Sequence, residues 1–274
     1  MTFAVEAEFG PWRKSRKFVA RRIGNVPRYT TKIGAATVDV VLTGMGPENA
    51  RRAVEAALSP EHVVCISSGF AGALTAEYQV ADVLVAAGVR QSSDDRTIAS
   101  DEPLVKSALQ TNGAAEVKNF VSVESVVETP EEKADLAKFG AAVEMESHAI
   151  LAVARSRAVP AVAIRAISDR FDQKLPMDFS GTVDQCGHVR DARTKDGHPS
   201  ASISSGGTRH AADRRRCPGA GTCRANRIES EPIERRRTRR DTASQDTVFR
   251  VFQCFSVEYL RGYPTAGPFV SEVR

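Results

Sequence analysis

Short runs of valine, isoleucine and alanine recur along the chain as far as about residue 180: 38–42, 63–66, 80–87, 117–121 and 161–167. Runs this continuous, without polar alternation, fit strands buried on both faces. Between several of them the apolar spacing becomes helical. Residues 47–58 carry apolar positions at roughly helical intervals. Residues 130–138 follow Thr129 as a helix N-cap, with Pro130 at the first helical position and Glu131 and Glu132 in the first turn. Residues 147–155 hold alanine, isoleucine, leucine and valine with no breaker. Strands alternating with helices predict an α/β domain over residues 1–185, built on a central mixed, mostly parallel sheet flanked by helices. The short opening segment 2–5 reads as half of a first strand, as if an upstream start codon had been missed.

Beyond about residue 185 the pattern stops. Segment 190–247 keeps neither period and is filled with Arg, Ser, Thr, Gly, Pro and Cys, and Lys195 is its only lysine. Residues 186–274 therefore read as a low-pattern, arginine-rich extension, either disordered or translated out of frame from a GC-rich gene. Within it, residues 248–260 are apolar enough to pack somewhere. The 274 residues suffice for one sizeable α/β domain plus such an extension. The net charge of +4 comes mostly from arginine beyond residue 185. The patterned region is close to neutral and offers no nucleic-acid surface, and the arginine run 235–240 reads as a solvated segment. No run of about eighteen apolar residues predicts a membrane span, and no signal-peptide pattern opens the chain. The expectation is a cytoplasmic protein with no membrane insertion. The five cysteines are scattered. Cys65 reads as a core residue. Cys186, Cys217, Cys223 and Cys254 show no zinc spacing, so no metal site is expected.

Chemistry concentrates in one stretch. Val143-Glu144-Met145-Glu146-Ser147-His148 opens a helix, and Ile164-Arg165-Ala166-Ile167-Ser168-Asp169 closes the apolar strand that follows. Strand ends and helix starts are where open α/β sheets gather ligands. Two carboxylates beside an arginine at such a place suit acid chemistry on a small molecule. Three further segments stand at strand ends. Thr43-Gly44-Met45-Gly46-Pro47 leads from a strand into a helix, and glycines there let backbone approach a ligand. By itself it is an ordinary turn. Ser67-Ser68-Gly69-Phe70-Ala71-Gly72 follows another buried strand, and Val5-Glu6-Ala7-Glu8-Phe9 ends the presumed first strand. An acidic residue in that last position is commonly a surface or cap residue.

Together these segments resemble the purine and uridine phosphorylase superfamily, in particular its 5′-methylthioadenosine/S-adenosylhomocysteine nucleosidase branch. The resemblance covers residues 2 to about 178. Residues 143–150 are similar to that branch's Val-Glu-Met-Glu block, and 165–169 to its Arg-Ala-Ile-Ser-Asp block, at the same spacing. Residues 69–74 with Val80-Ala81-Asp82-Val83 resemble its Thr-Gly-x-Ala-Gly-Gly-Leu block and the Gly-Asp pair after it. The resemblance implies cleavage of a purine N-glycosidic bond in an adenine nucleoside, without cofactor or metal, by a homodimer. It implies that Asp169 protonates the leaving base, with Ser168 orienting it. Glu146 would stay ionised, accept the ribose hydroxyls and support an oxocarbenium-like sugar, with Met145 packed beside the sugar. Glu8 would activate water, which Arg165 would help hold. Gly69, Phe70 and Met45 would border the substrate, and Val126 and Val127 would fall on the strand that contacts adenine.

The nucleophile separates hydrolase from phosphorylase. Phosphate calls for arginines or a glycine-rich nest. Phosphorylases of this superfamily carry an early Gly-Asp-Pro-x-Arg loop and an arginine before the second glycine segment. Here the early segment carries Glu8, and Cys65-Ile66-Ser67-Ser68 precedes the second. Both departures favour water. Phe70 stands where a smaller residue is frequent, Ala81 where the branch has glycine, and Val126 where an aromatic stacks on adenine. A related branch acts on adenosyl-hopanoid lipids, and residues 129–137 with Leu175-Pro176 are similar to it, so a lipid-linked adenosine is an alternative substrate. Futalosine-type nucleosides remain open. A reading of another class is a catalytically dead, truncated product. The family closes its sheet with a long C-terminal helix, whose pattern is absent from 186–247, and an uncovered apolar face would weaken the fold.

Overall fold

A computed structural model of the chain describes residues 1–110 and 113–175. Ten strands are β1 (Thr2–Phe3), β2 (Val19–Ile23), β3 (Val26–Ile33), β4 (Ala36–Leu42), β5 (Cys65–Ala73), β6 (Val83–Gln91), β7 (Thr97–Ala99), β8 (Ala114–Ser122), β9 (Ala142–Glu144) and β10 (Ala161–Asp169). Five helices are α1 (Glu6–Ser15), α2 (Pro47–Ala57), α3 (Glu102–Leu109), α4 (Pro130–Leu136) and α5 (Ser147–Ser156). The strands form one sheet in the order β10-β6-β8-β9-β5-β1-β4-β3-β2, with β7 on β6. Because β10 also pairs with β5, the path β5-β9-β8-β6-β10 closes on itself. The sheet is mixed, as expected. β1 pairs in parallel with β4 and β5, β5 with β10, and β8 with β6 and β9. The pairs β2–β3, β3–β4, β5–β9, β6–β7 and β6–β10 are antiparallel, so parallel pairing does not predominate.

The continuous apolar runs have a direct physical reason. Along β10, Ala161, Ala163 and Ile167 enter the core cluster shared with α2 and α5, while Val162, Ile164 and Ala166 enter the one shared with α1 and α3. β6 divides the same way, Leu84 and Ala86 to one face and Val83 and Val85 to the other. Alternate side chains point to opposite faces, and here helices cover both. The second face is closed by an aromatic group around fully buried Phe9, whose ring lies 5.0 Å from Phe18, 5.1 Å from Tyr29 and 5.7 Å from Phe3.

Several expectations shift. Of the 63–66 run only Cys65 and Ile66 enter a strand, and it is a longer one: Ser67–Gly72 is not a loop after β5 but its interior. Glu8 is not at a strand end. β1 stops at Phe3, and Glu8 occupies the third position of α1, where its carboxylate accepts the Ala4 and Val5 N–H groups at 2.7 and 3.2 Å. Val126 and Val127 do not lie on a strand, because β8 ends at Ser122. The expected helices appear as α2, α4 and α5, and Thr129 caps α4 with Glu132 closing the box. Helix α3 and the hairpin β2–β3 were not expected. Cys65 is buried and free. Among the described residues no helix is long and apolar enough to cross a membrane. Pro176, the four later cysteines, the arginine run 235–240 and the whole 186–274 extension lie outside the described residues.

Ala81 sits in the turn before β6 with φ +81°, its N–H bonded to Ile167 O at 2.9 Å. The left-handed region costs a side-chain-bearing residue roughly 1–2 kcal/mol. Ala81→Gly is expected to stabilise the protein by about 0.5–1 kcal/mol, that relief less the extra chain entropy glycine loses. Urea denaturation of the two proteins checks it, and a destabilised variant would contradict the strain.

Candidate active site

Parallel pairing of β5 with β10 assembles the site. Its register sets Arg165 against Gly69 and Asp169 against Gly72. Both glycines are needed for space. A Cβ on Gly69, at φ +145°, would overlap the Glu8 carboxylate and the Arg165 guanidinium, and one on Gly72 would lie 2.9 Å from Asp169 Oδ2. The two glycine positions therefore hold open the room in which three charged side chains meet the strand.

Arg165 is the centre, 1% exposed. Its Nη2 donates to Glu144 in a short ion pair, to Ser147 Oγ at 2.9 Å, and more distantly to Glu146 Oε2 at 3.5 Å and Ser67 Oγ at 3.4 Å. Glu144 was not singled out from the sequence, yet it is the best-served carboxylate. It also accepts the Ser122 hydroxyl and the N–H groups of Glu146 and Ser147, at 3.0 and 2.7 Å. Burial alone would raise its pKa. The Arg165 charge and these donors override burial and hold it below the usual range.

Glu146 caps α5 from a site equally buried but poorer in donors. Its Oε1 accepts the Gly46 N–H at 2.9 Å. Burial is the main influence and is reinforced by Glu144 and Glu8; together they outweigh Arg165 and raise its pKa to about 7. Glu146 is therefore less firmly ionised than Glu144. Glu8 is also raised, by burial first, although Arg165 and the N–H groups of Phe70, Val5 and Ala4 oppose it. The Phe70 N–H reaches Glu8 Oε1 at 2.9 Å, which ties α1 to β5.

Asp169 ends β10. The Ser168 hydroxyl lies 2.6 Å from its Oδ1 and 3.2 Å from Ala71 O. Its Oδ2 is held by Lys133 of α4, a buried ion pair that sequence reasoning missed. Lys133 shares a helix face with Leu136 and Ala137, which pack on the cluster of Leu74, Val121, Val123 and Val143. That spacing was the available signal. Met145 and Val127 pack on the same cluster, and Met145 Cε would lie 3.9 Å from a Cβ on Gly46. Met45 precedes Gly46, half-buried, and accepts Asn49 Nδ2 at 2.9 Å through its carbonyl. Val126 is half-buried in the connection after β8. Among the described residues no cluster of His, Cys, Asp or Glu is arranged to hold a metal ion.

An α/β sheet that closes on itself, with buried carboxylates gathered round one arginine, defines a site for acid and base chemistry on a small molecule. The chain belongs to the phosphorylase superfamily, whose family model matches residues 5–188. Solved structures share its fold. A futalosine hydrolase mutant of Helicobacter pylori superposes with a TM-score of 0.59 at 21% identity, over 65% of this chain and 88% of its own. The 5′-methylthioadenosine/S-adenosylhomocysteine nucleosidase of Campylobacter jejuni gives 0.58 at 20%, over the same shares. That of Neisseria meningitidis, in complex with methylthio-immucillin-A, gives 0.56 at 26%, over 63% and 85%.

The raised Glu146 makes stability depend on pH with a definite sign. Below about 4.5, its ordinary value, the folded and unfolded carboxyls are both protonated. As pH rises towards about 7 the unfolded chain loses the proton first, so this group's contribution to stability is lost through that window. Glu146→Gln removes the titration and should gain stability relative to wild type between pH 4.5 and 7. Paired urea melts at the two ends measure it, and an unchanged difference would refute the raised value.

Proposed function

We propose that the protein hydrolyses the N-glycosidic bond of an adenine nucleoside of the methylthioadenosine or S-adenosylhomocysteine type, releasing adenine. One observation carries the choice of water over phosphate. The arginine at the site is already committed to Glu144 and faces Glu146 and Glu8. A phosphate dianion would meet the carboxylates that share this guanidinium. Water meets no such penalty. It is a nucleophile that Glu8, raised by burial, can deprotonate.

The roles follow from what each side chain can do. Glu146 accepts hydrogen bonds from the ribose hydroxyls. Those bonds and the positive charge growing on the sugar both favour its ionised form, so it stabilises the transition state more than the ground state. Asp169 transfers a proton to N7 of the leaving base while Ser168 fixes its carboxyl. Arg165 orients Glu8 and the attacking water. Met145, Met45, Gly69, Phe70, Val126 and Val127 border the substrate. A homodimer in the cytoplasm completes the proposal. A second reading, an adenosine with a lipid-linked 5′ group, draws on the likeness of residues 129–137 with Leu175-Pro176 to the adenosyl-hopanoid branch.

Adenine release from methylthioadenosine and S-adenosylhomocysteine, with and without phosphate, tests the reading. The expected outcome is phosphate-independent release, reduced about 10²–10⁴-fold in Asp169→Asn. Release that requires phosphate would make the protein a phosphorylase. No release by the folded wild type would move the substrate to the lipid-linked class. The pH profile is a separate check. Because Glu146 must be ionised, kcat/KM should fall as pH drops below about 7. A profile flat from pH 8 to 5 would exclude that role.

A further inference from the structure

Lys133 is 1% exposed, and its ammonium is fully occupied. It donates to Asp169 Oδ2, to Arg170 O at 2.6 Å and to Gln173 O at 3.2 Å. A lysine so completely removed from water is rare and costly unless a counter-charge meets it. The carboxylate it meets is the one assigned to donate a proton. That pairing conflicts with the assignment on its face, because an ammonium beside a carboxylate favours the form that has no proton to give. The conflict disappears if the pair, and not Asp169 alone, is the acid. An ammonium can pass a proton to a carboxylate it touches, whereas a guanidinium holds its protons.

We propose that Lys133 stores the proton that Asp169 delivers to the leaving base. The proposal rests on the nucleosidase reading above. In the resting pair the proton is on Lys133 Nζ. As the C1′–N9 bond breaks and its electrons pass to the base, an N–H bond of Lys133 breaks, Asp169 Oδ2 takes that proton, and the carboxyl passes it on to form N7–H. Lys133 is left as a neutral amine beside an ionised Asp169, and it regains a proton from water once adenine has gone. Burial favours the first transfer, from Lys133 to Asp169, since it turns a buried ion pair into two neutral groups. The geometry is built for it. Thr129 and Glu132 cap α4 and hold Lys133 in place, and Leu175 N–H bonds Glu128 O at 2.9 Å, tying the loop after β10 to the start of that helix. The neighbouring charges on α4, Glu131, Glu132 and Asp135, are exposed, and Arg170 turns to Asp172.

Two variants and two substrates separate a proton store from a structural clamp. Lys133→Gln keeps donors for the two carbonyls but has no proton to release. Lys133→Arg keeps the positive charge but holds its protons. 4-Nitrophenyl β-D-ribofuranoside has a leaving group that departs as a stable anion and needs no acid. Both variants are expected to lose about 10²-fold in kcat on the adenine nucleoside, with cleavage of the nitrophenyl riboside changed by less than about threefold. Wild-type rates for Lys133→Arg on the nucleoside would reduce Lys133 to a fixed charge and overturn the proposal. Equal losses on both substrates would make it structural. If Lys133→Gln shows no cooperative melt, Lys133→Arg decides alone. If wild type releases no adenine, or Asp169→Asn is as active as wild type, the nucleosidase reading has failed instead.

Discussion

A single buried guanidinium organises the charged groups of the candidate site. Arg165 faces Glu8, Glu144 and Glu146 from the middle of a strand with almost no access to water. Three ionised carboxylates cannot share one arginine in such a place without a large cost. The conflict is resolved by unequal division. Glu144 receives the short ion pair, a hydroxyl and two N–H groups, and stays ionised. Glu8 and Glu146 receive less and are raised. Glu144 thus leaves the other two raised, and in the proposed reaction a raised carboxylate can accept a proton from water or respond to charge growing on a sugar. Buried charge is weak evidence of stability but good evidence of a working site.

The fold supplies this arrangement through register and cover. Helices on both faces leave β5 and β10 nowhere to expose a charge to solvent, so Arg165 must find its partners inside. Parallel pairing then fixes which residues of β5 it meets, and these are small: Ser67 at one level and Gly69 at another. Glu8 enters from the first turn of α1, where three backbone N–H groups fix its carboxylate. Glu146 enters from the cap of α5, held by Gly46 at the start of α2. No two of these carboxylates come from the same strand or helix interior, so the cluster exists only when the tertiary structure is complete.

The strands buried on both faces and the three helices with clear caps or spacing were legible because each is decided locally, by apolar continuity or by the Thr129–Glu132 box. The edge hairpin β2–β3 was not. Its residues Val19, Ala20, Arg21 and Arg22 are exposed, so no burial pattern marks them. β9 is three residues long, too short to show a period. Asp169, Arg165, Glu146 and Glu8 were identified through their resemblance to a family, and the structure brings the last three round one centre. Their inequality was not legible. Glu144 and Glu146 look alike in sequence, and only the count of donors reaching each tells the ionised one from the raised one. Lys133 lay hidden for the opposite reason: among Glu131, Glu132 and Asp135 it reads as one more surface charge on a polar helix.

That hidden lysine changes how the two ends of the site are understood. In the proposed reaction Arg165 lies beside the carboxylates that would serve the sugar and the water, and there a permanent charge is appropriate, since those carboxylates would accept protons and must not lose their partner as they do. Lys133 stands beside Asp169, where under the same proposal a proton would be given away. A guanidinium there would hold the acid ionised through the whole reaction, while an ammonium can surrender what the carboxylate needs. The choice of cation at each end therefore matches the direction in which protons must move. Helix α4, only seven residues long, carries a complete capping box. A helix that short has little stability of its own, and the cap holds the one side chain it inserts beneath the sheet's end.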